Sequence, residues 1–103
     1  MNVVGGLFLD EPASDLPIAL ALVSGLRDKP IPAGLLAIGE IGLGGEVRSV
    51  IRLEDRIREA QRLGFTKCLV PAASLKGMDL SSYTIKIVGV RDVIEALRSL
   101  NGN

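Results

Sequence analysis

The segment "SDLPIALALVSGL", residues 14–26, constrains this chain most. Ser14, Asp15, Leu16 and Pro17 put a hydroxyl cap, a first-turn acid and a first-turn proline where an α-helix begins. From Leu16 to Leu26 only Ser24 and Gly25 interrupt the apolar residues. Such a helix has to be covered on nearly all sides, by a sheet of its own chain or by a partner. "RDKPIP" ends it. The serine at its head is either a nucleophile or a cap, and the functional reading turns on which.

The flanking segments supply a sheet. "NVVGGLFL" reads as a strand with a bend at Gly5 and Gly6. "GLLAIGEIGLGGEVRSVI" reads as two extended runs joined at Gly44 and Gly45, a hairpin signal. "RLEDRIREAQRLGF" carries Leu53, Ile57, Ala60 and Leu63 at helical spacing, with Glu54 and Arg58 as an i,i+4 pair and Gly64 as the stop. "TKCLVP" and "YTIKIVGV" are two further strands, joined by the polar loop "AASLKGMDLSS". The closing helix "VRDVIEALRSL" is expected to turn Val90, Val93, Ile94, Leu97 and Leu100 inward. The order β-α-β-β-α-β-β-α predicts an α/β fold, a mixed α+β sandwich of helices on a sheet, in one domain spanning residues 1–103.

Composition removes several chemistries. With 48% apolar residues in 103, the chain is long enough to bury a core. Twelve Lys and Arg balance twelve Asp and Glu, so no global field draws it to nucleic acid or an anionic membrane, and any basic surface is local. The absence of histidine excludes His-dependent triads, His–Cys zinc sites and HExxH chemistry within this chain. The lone Cys68, inside "KCLVP", reads as a buried strand residue in a reducing compartment. The opening residues show neither a signal peptide nor a membrane span, so a cytoplasmic protein with no membrane partner is expected.

Few motifs carry chemistry by themselves. Neither "VVGGLF" nor "IGLGGEV" matches a phosphate loop or a dinucleotide fingerprint, and hairpin glycines account for both. No spacing brings Glu11, Glu40 and Glu46 together for acid–base work. A serine peptidase without histidine needs a desolvated lysine as base, and Lys29, Lys67, Lys76 and Lys86 lie beside loops or on presumed strands. Capping is the stronger reading of Ser14. Arg48, Arg52, Arg56, Arg58 and Arg62 form a basic group in which Arg52 and Arg56, and Arg58 and Arg62, are one helical turn apart. They are the candidate DNA contacts, set against a solvated face paired internally with Glu54, Asp55 and Glu59.

Read together, "NVVGGLFLDEPASDLPIALALVSGLRDKPIP", "GEIGLGGEVRSVIRLEDRIREAQRLGF" and "CLVPAAS" resemble the carboxyl-terminal Lon protease-like domain of the bacterial DNA repair protein RadA, or Sms. That domain is similar in turn to the Lon proteolytic domain, with its catalytic serine in GPSAG and its lysine in GGLKEK. The resemblance puts Ala13 at the serine and Arg56 at the lysine without a gap. It implies that both catalytic groups are gone. Ser14 is one residue out of register, about 100° around the helix, and a guanidinium stays protonated and cannot act as the base.

The resemblance further implies a non-proteolytic scaffold of a recombination protein, packing against its copies in a hexameric ring and offering arginines to single-stranded or branched DNA. The full-length family protein resembles a DNA-dependent ATPase. ATP, magnesium and zinc are expected only in domains absent from this chain, and the resemblance implies that the Lon-like domain's own amino-terminal strands are absent too. Two rivals stand beside this reading: a Ser–Lys peptidase with a displaced serine, and a protein-interaction module unrelated to DNA.

Overall fold

The computed structural model describes residues 12–100. The expected first strand, residues 2–9, lies outside them, as does Glu11. A 3₁₀ turn, Pro12–Ser14, leads into α1 (Asp15–Arg27). Then come β1 (Leu35–Ala37), β2 (Glu40–Ile41), β3 (Val47–Arg48), α2 (Leu53–Arg62), β4 (Lys67–Pro71), β5 (Lys86–Val90) and α3 (Val93–Ser99). The class is α/β. A parallel sheet of order β1-β4-β5 forms the centre, and β2 and β3 make a separate antiparallel pair.

The central strand shows why helices flank the sheet. In β4 side chains alternate between faces. Cys68 and Val70 join Leu53, Ile57 and Ala60 of α2, whereas Leu69 joins Leu16 and Leu20 of α1, Val90 of β5 and Ala96 of α3. A strand buried on both faces has no polar position left, and "KCLVP" has none after its lysine. Cys68 is fully buried in it, as its apolar run predicts, and burial pushes the thiol pKa up to about 12. A group whose folded pKa is raised adds stability below its ordinary pKa of 9.0 and loses it as pH rises toward about 12. Cys68→Ala should therefore flatten the fall of the thermal midpoint above pH ~9, measured by circular dichroism against the parent chain.

Four expectations need correction. The run "GLLAIGEI" is two strands, because the chain leaves the parallel sheet at Gly39: Ile38 N–H still donates to the Leu69 carbonyl, at 2.9 Å, but Gly39 N–H turns to the Ala13 carbonyl. The loop after β4 contains two 3₁₀ turns, Ala72–Leu75 and Leu80–Ser82. In the last segment Val90 belongs to β5, Ala96 is the fully buried residue of α3, and Ile94 faces out. Leu63 follows α2 and is exposed, because the helix ends at Arg62 and Gly64 takes up φ +98°.

The hairpin forms where the glycines placed it. Gly45 N–H donates to Gly42 O at 3.0 Å and Gly42 N–H to Glu46 O at 2.9 Å, with Gly45 at φ +86°. Its register sets Glu40 opposite Arg48. α1 ends where "RDKPIP" begins, through a left-handed Asp28 whose N–H reaches Gly25 O.

Candidate functional site

The head of α1 is joined to the turn after β1 by reciprocal backbone hydrogen bonds. Gly39 N–H donates to Ala13 O at 3.0 Å, and Leu16 N–H donates to Gly39 O at 2.9 Å. The pair satisfies one of the amide groups that a helix start leaves open. Asp15 adds a third tie, its carboxylate accepting from Ile41 N–H at 3.1 Å. Gly39 is the residue that permits this approach, since a Cβ there would lie 2.7 Å from Val47 Cγ1.

Ser14 occupies the N-cap position, but its side chain makes no capping hydrogen bond. Its backbone, at φ −88° and ψ −5°, is already helical because the 3₁₀ turn precedes it, whereas hydroxyl caps need an extended N-cap residue. The expected hydroxyl cap is replaced by the Gly39 carbonyl. Ala13 is 8% exposed and packs with Ile38, Leu53 and Ile57, so its methyl fills the corner between the sheet and α2.

The lysines divide between the two ends of the molecule. Lys67 and Lys86 face each other in the β4–β5 register at the amino-terminal edge of the parallel sheet, while the head of α1 meets the opposite edge, beyond Ala37. Lys29 follows the far end of α1, roughly 20 Å along the helix. Lys76 follows the 3₁₀ turn after β4 and is exposed, hence without the desolvation a lysine base requires. Glu40 and Glu46 do not pair: Glu46 accepts from Gly44 N–H and from Arg48. Its carboxyl is held below the usual range, first by its own backbone N–H and then by Arg48.

The five arginines lie along β3 and α2, and most are clamped. Asp55 sits between two of them, Oδ2 accepting from Arg52 Nε at 3.3 Å and Oδ1 from Arg58 Nη1 at 3.1 Å. Arg58 thus pairs at i,i+3 and not with Glu54, the partner its i,i+4 spacing suggested. Glu59 takes two donors from Arg62. These bonds, from Arg58 and then Arg52 on Asp55, and from Arg62 on Glu59, hold both carboxyls below their ordinary range. Arg56 donates Nε to the Ile51 carbonyl at 3.0 Å. Arg52 is also the N-cap of α2 and stands at φ +58°, a conformation no pattern in "VIRLED" announces.

An open groove of about 370 Å³ lies beside the start of α2, between Val50, Arg52, Leu53, Glu54, Asp55, Ser74 and Met78. Among the described residues it holds no nucleophile and base in hydrogen-bond contact. Among the described residues no group of three or more His, Cys, Asp or Glu is placed to hold a metal ion, and no helix is long and apolar enough to cross a membrane. α1 buries Leu16 and Leu20, yet leaves Leu22 58% and Leu26 87% exposed. Its expected cover on nearly all sides is met on one side among the described residues.

Residues 9–74 match the family described as subunit ChlI of Mg-chelatase. Over 102 residues, 99% of this chain, the sequence is 46% identical to the DNA repair protein RadA of Bacillus subtilis (strain 168), of which that stretch is 22%. It is 47% identical over 100 residues to RadA of Streptococcus pneumoniae (strain ATCC BAA-255 / R6), covering 97% of this chain and 24% of that protein. For RadA of Halalkalibacterium halodurans the identity is 45% over 97 residues, 94% of this chain and 21% of the relative. The chain spans about a fifth of the length of these curated relatives.

Proposed function

Because this chain belongs to the ChlI family and matches a piece of RadA over nearly all its length, we propose that it is the non-proteolytic, Lon-like scaffold module of a RadA-type DNA repair protein. In this reading it assembles with copies of itself into a ring and offers Arg48, Arg52, Arg56, Arg58 and Arg62 to single-stranded or branched DNA. The observation that carries the reading is the head of α1. Where a Lon-type peptidase needs a hydroxyl and a neutral amine, the chain has a buried Ala13 methyl and an Arg56 guanidinium bonded to a backbone carbonyl. A guanidinium keeps its proton at any physiological pH, so it is no base. ATP hydrolysis, and any zinc or magnesium, belong in this reading to other parts of the full-length protein.

Self-association is supported by the exposed side of α1, since Leu22 and Leu26 form an i,i+4 apolar pair on a helix of mostly apolar residues. Light scattering at several concentrations, with and without single-stranded DNA, is expected to show a discrete ring-sized species. Leu22→Glu combined with Leu26→Glu should reduce it to monomer with the circular dichroism spectrum unchanged, because both side chains already face outward. A monomer at every concentration, indifferent to DNA, overturns the scaffold reading. Cleavage of an unfolded protein, lost in Ser14→Ala, overturns it in favour of a peptidase.

A further inference from the structure

The arginines of α2 are arranged on the surface already bound to anions of their own. Arg52, Asp55 and Arg58 stand three residues apart in a single row, and both oxygens of the Asp55 carboxylate are engaged, one by each guanidinium. Glu59 engages Arg62 through both of its oxygens. An arriving phosphate offers a guanidinium the same pair of acceptors. Between residues 52 and 62 four arginines meet three acids, so the row keeps one net positive charge. Phosphate is therefore not drawn to free cations there. It competes with the carboxylates for the charge and the forked donors of these guanidiniums, each of which spends one or two N–H groups on its acid.

Resting on the DNA-contact reading above, we infer that Asp55 and Glu59 are built-in counter-ions which DNA phosphates displace, and that these two acids set both the affinity and the salt dependence of binding. The exchange is feasible because the pairs are solvent-exposed, with more than half of each side chain's surface accessible, and ion pairs of that kind are weak in water. It also restrains affinity, because a guanidinium that takes up a phosphate gives up its carboxylate partner. Binding by one copy is then weak, and several copies acting on one strand make it effective. Glu54 provides the contrast: it lies on the same helical turn as Asp55 and carries the same charge, yet clamps no arginine among the described residues.

The test is fluorescence anisotropy of a labelled single-stranded oligonucleotide, titrated with the full chain across a range of salt concentrations, with circular dichroism confirming the fold of each variant. Asp55→Asn should tighten binding about three- to tenfold at low salt and steepen the slope of log affinity on log salt by about one to two, as two arginines are released to phosphate. Glu59→Gln should act in the same sense, with a steepening of about one. Glu54→Gln removes an equal charge and should tighten binding less, with the parent slope kept. Adding Arg52→Ala and Arg58→Ala to Asp55→Asn should abolish the tightening. Equal affinity and slope for Asp55→Asn and Glu54→Gln would overturn the inference in favour of net charge alone. So would Asp55→Asn binding no tighter than the parent while Arg52→Ala with Arg58→Ala weakens the parent. DNA binding absent from the parent and from every variant would instead remove the DNA-contact reading itself, and the inference with it.

Discussion

Leu69→Ala is expected to lower the unfolding free energy by about 3–4 kcal/mol, as truncation of a fully enclosed leucine does when its surroundings relax little. In a chain of this length that brings the thermal midpoint down by roughly 15–30 °C. Leu69 has no exposed surface, sits in the middle strand and packs against Leu16 and Leu20 of α1 and Ala96 of α3. Strands lie on both sides of β4, so its backbone cannot shift to close the space. The truncation also loosens the seat of α1, whose two fully buried leucines rest on it. Chemical denaturation followed by circular dichroism reads the effect; a loss under about 1 kcal/mol would mean that the helices can collapse onto the sheet.

Gly39→Val is the second large effect, about 3 kcal/mol by overpacking. The first added carbon would lie 2.7 Å from Val47 Cγ1 and 3.4 Å from Leu16, and the two methyls beyond it have no room in a buried corner. Val47 is buried and β-branched, so it has few rotamers to retreat into. Relief requires the turn to shift from its place between Val47 and Leu16, which strains the reciprocal hydrogen bonds with Ala13 and Leu16. Hydrogen exchange should accordingly show the amides of Leu16 and Gly39 losing protection before those of β4, a pattern that a uniform loss of stability would not give.

How far these features were legible in the sequence depends on whether the signal was local. α1 was legible because Asp15 and Pro17 in its first turn and an unbroken apolar run are written in one segment. The hairpin was legible because two glycines in a row mark a turn. The division of "GLLAIGEI" was not, since it depends on Gly39 meeting residues 13 and 16, a contact that strand propensity does not encode. For the same reason Ser14 carried the composition of a cap without the backbone of one. Of the apolar stripe expected at the end of the chain, Val90, Leu97 and Leu100 do turn to the core, while Ile94 faces out and the small Ala96, which hydrophobicity alone does not single out, is the fully buried residue of α3. Among the arginines the group was legible and the pairing was not. Asp55 at i+3 from Arg52 and at i−3 from Arg58 competes with Glu54 at i−4 from Arg58, and spacing alone allows either partner.

The backbone join at the head of α1 has a consequence for what evolution can do at this place. Ala13 contributes to that join its carbonyl and a methyl that fills a corner, and Ser14 supplies no side-chain cap. A small apolar side chain at position 13 meets the same requirement, whereas a hydroxyl there would be buried among Ile38, Leu53 and Ile57 and would need a hydrogen-bond partner. Gly39, which carries no reactive group, is by contrast the position where any added side chain presses on Val47 and Leu16.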